Sequence, residues 1–172
     1  MALFNRTDFE RQGNTDSDIF LDSLDAMGEA IIELSGSALR SIKIFTPDME
    51  APLYSNDALR KKLLDFSRGN RHAQIQILAA DTSSAIRQGH QLIHLSQQLT
   101  SCMEIRTTPE EYRQNGLSFV LLDRAAFIFR LEQPGTTAIQ SHCKFRINRL
   151  HEFFTPAWEQ AIKDPQTRRF RL

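Results

Sequence analysis

Residues 115–123 read NGLSFVLLD, and after Arg124 the chain continues AAFIFRLE. Both runs are short and rich in apolar, β-branched and aromatic residues. They are separated by only about two to four residues, which is hairpin spacing. Two strands are expected, Leu117 to Leu122 and Ala126 to Leu131, with Asp123 and Arg124 at the turn. The rest of the chain must supply the sheet that this hairpin joins.

Three strand-like runs precede it: Ile42 to Thr46, Ala73 to Ala79 and Cys102 to Thr107. Helical patterns separate them. TDSD offers Thr15 as a cap, with Phe20, Leu24, Met27, Ile31 and Leu34 at helical spacing behind it. SNDALRKKLLDFSRG turns Leu59, Leu63 and Phe66 inward and stops at Gly69. TSSAIRQGHQLIHLSQQL reads as one helix capped near Thr82 or Ser83. After the hairpin, EQPGTTAIQSH is a loop with room for a small extra strand. A final helix carries Phe145, Leu150, Phe153, Phe154, Trp158 and Ile162. Pro156 removes a backbone donor within it, which predicts a kink or a fresh start capped by Thr155. Alternating strands and helices imply right-handed crossovers and an α/β fold. The expected architecture is a mixed, mostly parallel sheet with helices on both faces. A polar segment at 1–14, one domain at 15–165 and a basic tail at 166–172 complete the layout.

The bulk properties narrow the function classes. The chain has 172 residues, enough for one domain with its own core. Lys plus Arg and Asp plus Glu both number 21, so no global field steers nucleic acid or membrane, and only local basic patches remain. Cys102 and Cys143 form no disulfide framework and no CxxC pair, which fits a reducing cytoplasm. The first residues, MALFNRTDFERQGN, lack the pattern of a secretory leader, and no run of about 18 apolar residues is present for a membrane span.

The element order and the string GLSFVLLD resemble one half of a phospholipase D-like protein, a superfamily marked by HxKxxxxD on a strand. With Asp123 on the motif's Asp, Gly116 stands at the His and Ser118 at the Lys. ALRSIKIFT looks like the family's first core strand, LRKKLLDFSRGNRHAQIQILAAD like its helix, basic turn and second strand, and HEFFTPAWEQA like its final helix. The likeness runs from about residue 25 to 163. In that family the His attacks phosphorus, a second His protonates the leaving group, and the Lys offsets phosphate charge. Gly116 has no side chain to attack with, and Ser118 has neither a neighbouring base nor a positive charge. The family's Gly-Ser after the Asp is also missing, since Leu131 and Glu132 stand there. The resemblance therefore implies a pseudo-enzyme with no catalytic residue, no cofactor and no metal. It also implies a second half, either as a homodimer or as a partner. The chain resembles, further, uncharacterised bacterial proteins of this type, some of them linked to GNAT-like acetyltransferases, so an acetyltransferase-like partner is a second expectation.

Other constellations are weaker. His90 and His94 lie four apart, but HExxH would need Glu at Gln91, and spacing supplies no third ligand. The plain reading is one buried, hydrogen-bonded histidine and one at the surface. Gly89-His90, Arg130, His142 and Lys144 are the candidates for meeting an anion. Arg168, Arg169 and Arg171 raise nucleic acid as a ligand, although three terminal charges are usually just solvated. Two function classes follow. One is a non-catalytic module that binds a partner protein or an anionic, phosphate-containing ligand. The other is a phosphodiesterase or nuclease with replacement residues such as His90.

Overall fold

The computed structural model describes residues 9, 17–113, 117–131 and 137–167. Its strands are β1 (Ile19–Leu21), β2 (Ser41–Thr46), β3 (Gln74–Ala79), β4 (Met103–Thr107), β5 (Leu117–Leu122), β6 (Ala126–Leu131), β7 (Ala138–Ser141) and β8 (Ile162–Lys163). Its helices are α1 (Leu24–Ser37), α2 (Ala51–Tyr54), α3 (Asp57–Gly69), α4 (Ser83–Arg87), α5 (Gln91–Gln98) and α6 (Lys144–Gln160). The strands form a single sheet in the order β1-β7-β6-β5-β2-β3-β4-β8.

The sheet is mixed, as expected, with its parallel part confined to β2, β3 and β4. The other pairings are antiparallel, more than the sequence pattern indicates. The excess comes from β1 and β8, which are too short to show a period, and from β7, foreseen only as a small extra strand. The hairpin β5–β6 forms with Leu117 opposite Leu131 and Leu122 opposite Ala126.

All six residues of β5 are buried, because helices cover both faces of the sheet at its centre. On one face, Ile42, Ile44, Ile75, Ile77, Val120 and Ile128 pack against α1, α2, α3 and α5. On the other, Phe45, Phe119, Phe127 and Phe129 meet α6 through Ile147, Leu150, Phe153 and Phe154. The Phe45 and Phe119 rings stack at 5.2 Å, and Phe153 meets Phe45 edge-on.

Four element readings need correction. The first helix starts at Leu24, where the Ser23 hydroxyl accepts the Ala26 N–H, and Phe20 lies on an edge strand with its ring exposed. Thr15 lies outside the described residues. The region 82–99 is two helices, because Gly89 takes φ +65° and His90 begins a new turn. Helix α6 runs unbroken through Pro156, with no fresh start at Thr155. Burial of Phe153, Phe154 and Ala157 around that position offsets the lost hydrogen bond. Ile162 lies beyond α6, exposed on β8.

The break at Gly89 gives a stability prediction. A Cβ there would sit 3.6 Å from His94 Nε2, which is ordinary contact, so only backbone strain opposes it. Gly89→Ala is expected to cost about 1 kcal/mol in urea denaturation. An unchanged midpoint would show that the α4–α5 junction has another accessible conformation.

Candidate functional site

The C-terminal ends of parallel strands are where α/β sheets commonly bind ligands. Here Thr46 ends β2, and Pro47 and Asp48 turn the chain into α2. Met49 (φ 73°) and Glu50 (φ 33°) both adopt left-handed backbone. This unusual turn directs the Glu50 carboxylate back over the sheet. It accepts hydrogen bonds from Ser118 Oγ at 2.8 Å and Thr46 Oγ1 at 3.0 Å, and it forms an ion pair with Arg130. Ser118 and Arg130 are directly opposite on the hairpin and share a face. Tyr54 lies beneath, where burial pushes its phenol up against the opposing effect of a hydrogen bond with Ser118. A cleft of about 320 Å³ opens above, lined by Asp48, Glu50, Ser84, Gln88, His90 and Arg130, among others.

His90 is in this cleft but its ring is committed. Nδ1 accepts the Leu92 N–H at 3.1 Å, capping α5, and Nε2 donates to the Met49 carbonyl at 3.1 Å. That arrangement fixes the neutral Nε2–H tautomer. Burial pulls the imidazole below its ordinary value, and the Met49 carbonyl and the Asp48 charge only partly oppose this. His94, by contrast, is exposed.

Asp123 lies at the far end of β5. A turn Asp commonly bonds amides of its own turn, but the amides bonded by this carboxylate all lie on another segment. It reaches across the sheet and accepts the backbone N–H groups of Leu39, Arg40 and Ser41, each at 2.8 Å. Its own N–H donates to the Ser41 carbonyl, and its φ of 55° is one that Asp tolerates. His142 and Lys144 are at this end too, both exposed, with His142 Nδ1 donating to the Ala125 carbonyl. The four candidate anion-binding residues therefore do not form one site. His90 and Arg130 share the cleft, whereas His142 and Lys144 lie beyond the opposite end of the strands. Gly116, Glu132 and the tail arginines lie outside the described residues.

Sequence reasoning missed Glu50 entirely. A carboxylate after a Pro-Asp turn is ordinary, and nothing local announces the left-handed pair that aims it inward. It also missed His151, whose ring Nε2 donates to the Asp123 carbonyl at 2.9 Å. A polar residue on the apolar stripe of the last helix was the available signal. Among the described residues, no group of three or more His, Cys, Asp or Glu side chains is placed to hold a metal ion. No helix among them is long and apolar enough to cross a membrane.

A strand-end cleft on a mixed sheet, closed by the β5–β6 hairpin, makes this an α/β module. Two solved structures share that fold. TrmBL2, described as an archaeal chromatin protein with a novel mode of DNA binding, matches over 92% of this chain with a TM-score of 0.64 at 14% identity. This chain spans 59% of TrmBL2. NucT from Helicobacter pylori matches over 86% of this chain and 98% of its own, with a TM-score of 0.61 at 10% identity. A comparison with curated proteins gives no match. Residues 23–170 match a domain of unknown function, DUF7931, and the chain belongs to that family.

Two predictions follow from the anchors. Asp123→Ala removes three charge-assisted acceptor contacts and places Ala at positive φ, for an expected loss of roughly 3 kcal/mol. Asp123→Asn keeps an acceptor and the tolerance of that φ, so chemical denaturation is expected to show well under half that loss. Equal losses would mean that the amide contacts are not what Asp123 contributes.

The second concerns pH. Because the fold lowers the His90 and His151 pKa values from 6.5, the neutral rings stabilise the fold. That stability is complete above the unfolded value and is lost as pH falls through the folded values. The thermal midpoint is expected to drop on acidification below about 6.5, the free histidine value. His90→Asn preserves a cap acceptor without the titration and is expected to flatten the dependence. A slope identical to that of the native chain would remove His90 from the account.

Proposed function

We propose that this chain is a non-catalytic phospholipase D-like module that binds a phosphate-bearing ligand, nucleic acid included, without turning it over. The observation that carries the first half is the Glu50 carboxylate. It sits beside Ser118, the residue aligned with the motif's lysine, and takes up Arg130 and two hydroxyl donors. A substrate phosphate entering there would meet a negative charge already bound to the cation it needs. Ser118 donates its proton to that carboxylate, and both ring nitrogens of His90 are engaged with backbone. Ser118 thus has a neighbouring carboxylate that its sequence context did not reveal, but Arg130 and Thr46 already occupy that carboxylate, and His90 has no ring nitrogen left to act as a base.

The ligand half is supported by the fold it shares with a DNA-binding chromatin protein, and by Lys43 and Arg124, which line one groove. A partner protein, as a second copy or an acetyltransferase-like chain, is the other kind of occupant for a module that supplies one half of a two-part fold.

The test is turnover of generic phosphodiesters, including DNA and RNA, with and without divalent metal. The native chain is expected to give background rates, and Ser118→Ala the same rates with a stability loss of about 1 kcal/mol. Hydrolysis abolished by Ser118→Ala or His90→Ala would instead establish a phosphodiesterase or nuclease with replacement residues.

A further inference from the structure

The groove at the other end of the strands carries a separate reading. On β2 and β3, the face that bears Phe45 and Leu78 changes character toward the strand starts. There it shows Ser41, Lys43, Gln74 and Gln76, polar residues at alternate positions that α6 leaves uncovered. Together with Arg124, His151 and Trp158 they line a groove of about 380 Å³. It is on the opposite face from Tyr54 and His90, at the opposite end from Glu50.

Among the described residues, its cations form no ion pair. Lys43 Nζ sits 3.3 Å from His151 Nδ1 and 5.4 Å from the centre of the Phe154 ring. The other ring nitrogen of His151 donates to the Asp123 carbonyl, so Nδ1 is the acceptor for Lys43. No carboxylate pairs with Lys43 or Arg124 among the described residues. Two acids line the groove. Asp123 spends its carboxylate on three backbone amides, and Glu159 is an exposed residue of α6. Glu104, on the neighbouring strand, is paired with Arg106. Burial, then the charge of Arg124, lowers the Lys43 ammonium pKa, and burial first lowers that of the His151 imidazole. Burial is the larger cause of both shifts, and the neighbouring charges, Arg124 on Lys43 and both cations on His151, add to it.

We propose that this groove binds a phosphate group, with Lys43 and Arg124 supplying charge, Gln76 and Ser41 supplying polar contacts, and His151 positioning the Lys43 ammonium. The assignment rests on the reading of the chain as a phosphate-binding module and places its ligand away from the degenerate motif. Lys43 keeps further N–H donors for an oxyanion while holding His151. Bound phosphate would give Lys43 and Arg124 the ion-pair partner that neither has among the described residues.

The test is NMR titration of the full chain, following the His151 ring signals, with inorganic phosphate and with a short single-stranded oligodeoxynucleotide as separate probes. Saturable shifts at His151 are expected with at least one probe. Shifts with phosphate identify the free ion as sufficient, and shifts with the oligonucleotide alone identify the nucleic-acid backbone as the source. Lys43→Gln is expected to weaken that binding about tenfold or more, and Arg124→Gln, exposed at a turn and safe for folding, by a few fold. Binding of either probe that leaves His151 unmoved and is equal in both variants would overturn the groove while sparing the module reading. No binding of any probe by the native chain would overturn the groove and the ligand half of that reading together.

Discussion

The carboxylate of Asp123 gathers the first three amides of the segment entering β2, and its own N–H closes back on Ser41. These contacts pin the β5–β6 turn to the start of β2 and so fix the antiparallel register of β2 and β5. With Ile42 opposite Leu122 and Phe45 opposite Phe119, every inward side chain of β5 is assigned to a face. A slip of one residue would exchange Phe119 with Val120 and bring the aromatic layer to the aliphatic side. The site at the other end inherits the same register. It places Ser118 beside the end of β2, within reach of the carboxylate that Thr46 also bonds.

The two ends of this strand pair have different electrostatic solutions. At the Glu50 end, an acid and a base from distant segments neutralise each other in partial burial. Removing one partner would strand the other, the costly case for buried charge. At the Asp123 end, the acid accepts from backbone donors, and Lys43 and Arg124 form no ion pair among the described residues. An end that has satisfied its charge internally has little to offer an incoming anion, whereas an end that has not retains a field. That contrast is what the proposed phosphate site at the Asp123 end rests on.

The sequence by itself determined the class of the fold. Strand runs of five or six apolar or alternating residues, the close-set hairpin and the inward stripes of α1, α3 and α6 are all local, and local periodicity survives without knowledge of neighbours. It also determined which side chains the strand carries: Gly stands at position 116 and Ser at position 118, so neither a histidine nor a lysine is available there. Elements of two to four residues, β1, β7 and β8, carry no period and form only because an edge is there to pair with. The division at Gly89 was equally hidden, since a glycine in a helical pattern is tolerated more often than it breaks one. What tertiary structure alone decided was the partner of each charge. Glu50 reaches Arg130 across 80 residues through a left-handed turn, and His151 reaches Asp123 and Lys43 from the far helix. Such pairings depend on angles accumulated over the whole chain, and no spacing along the sequence encodes them.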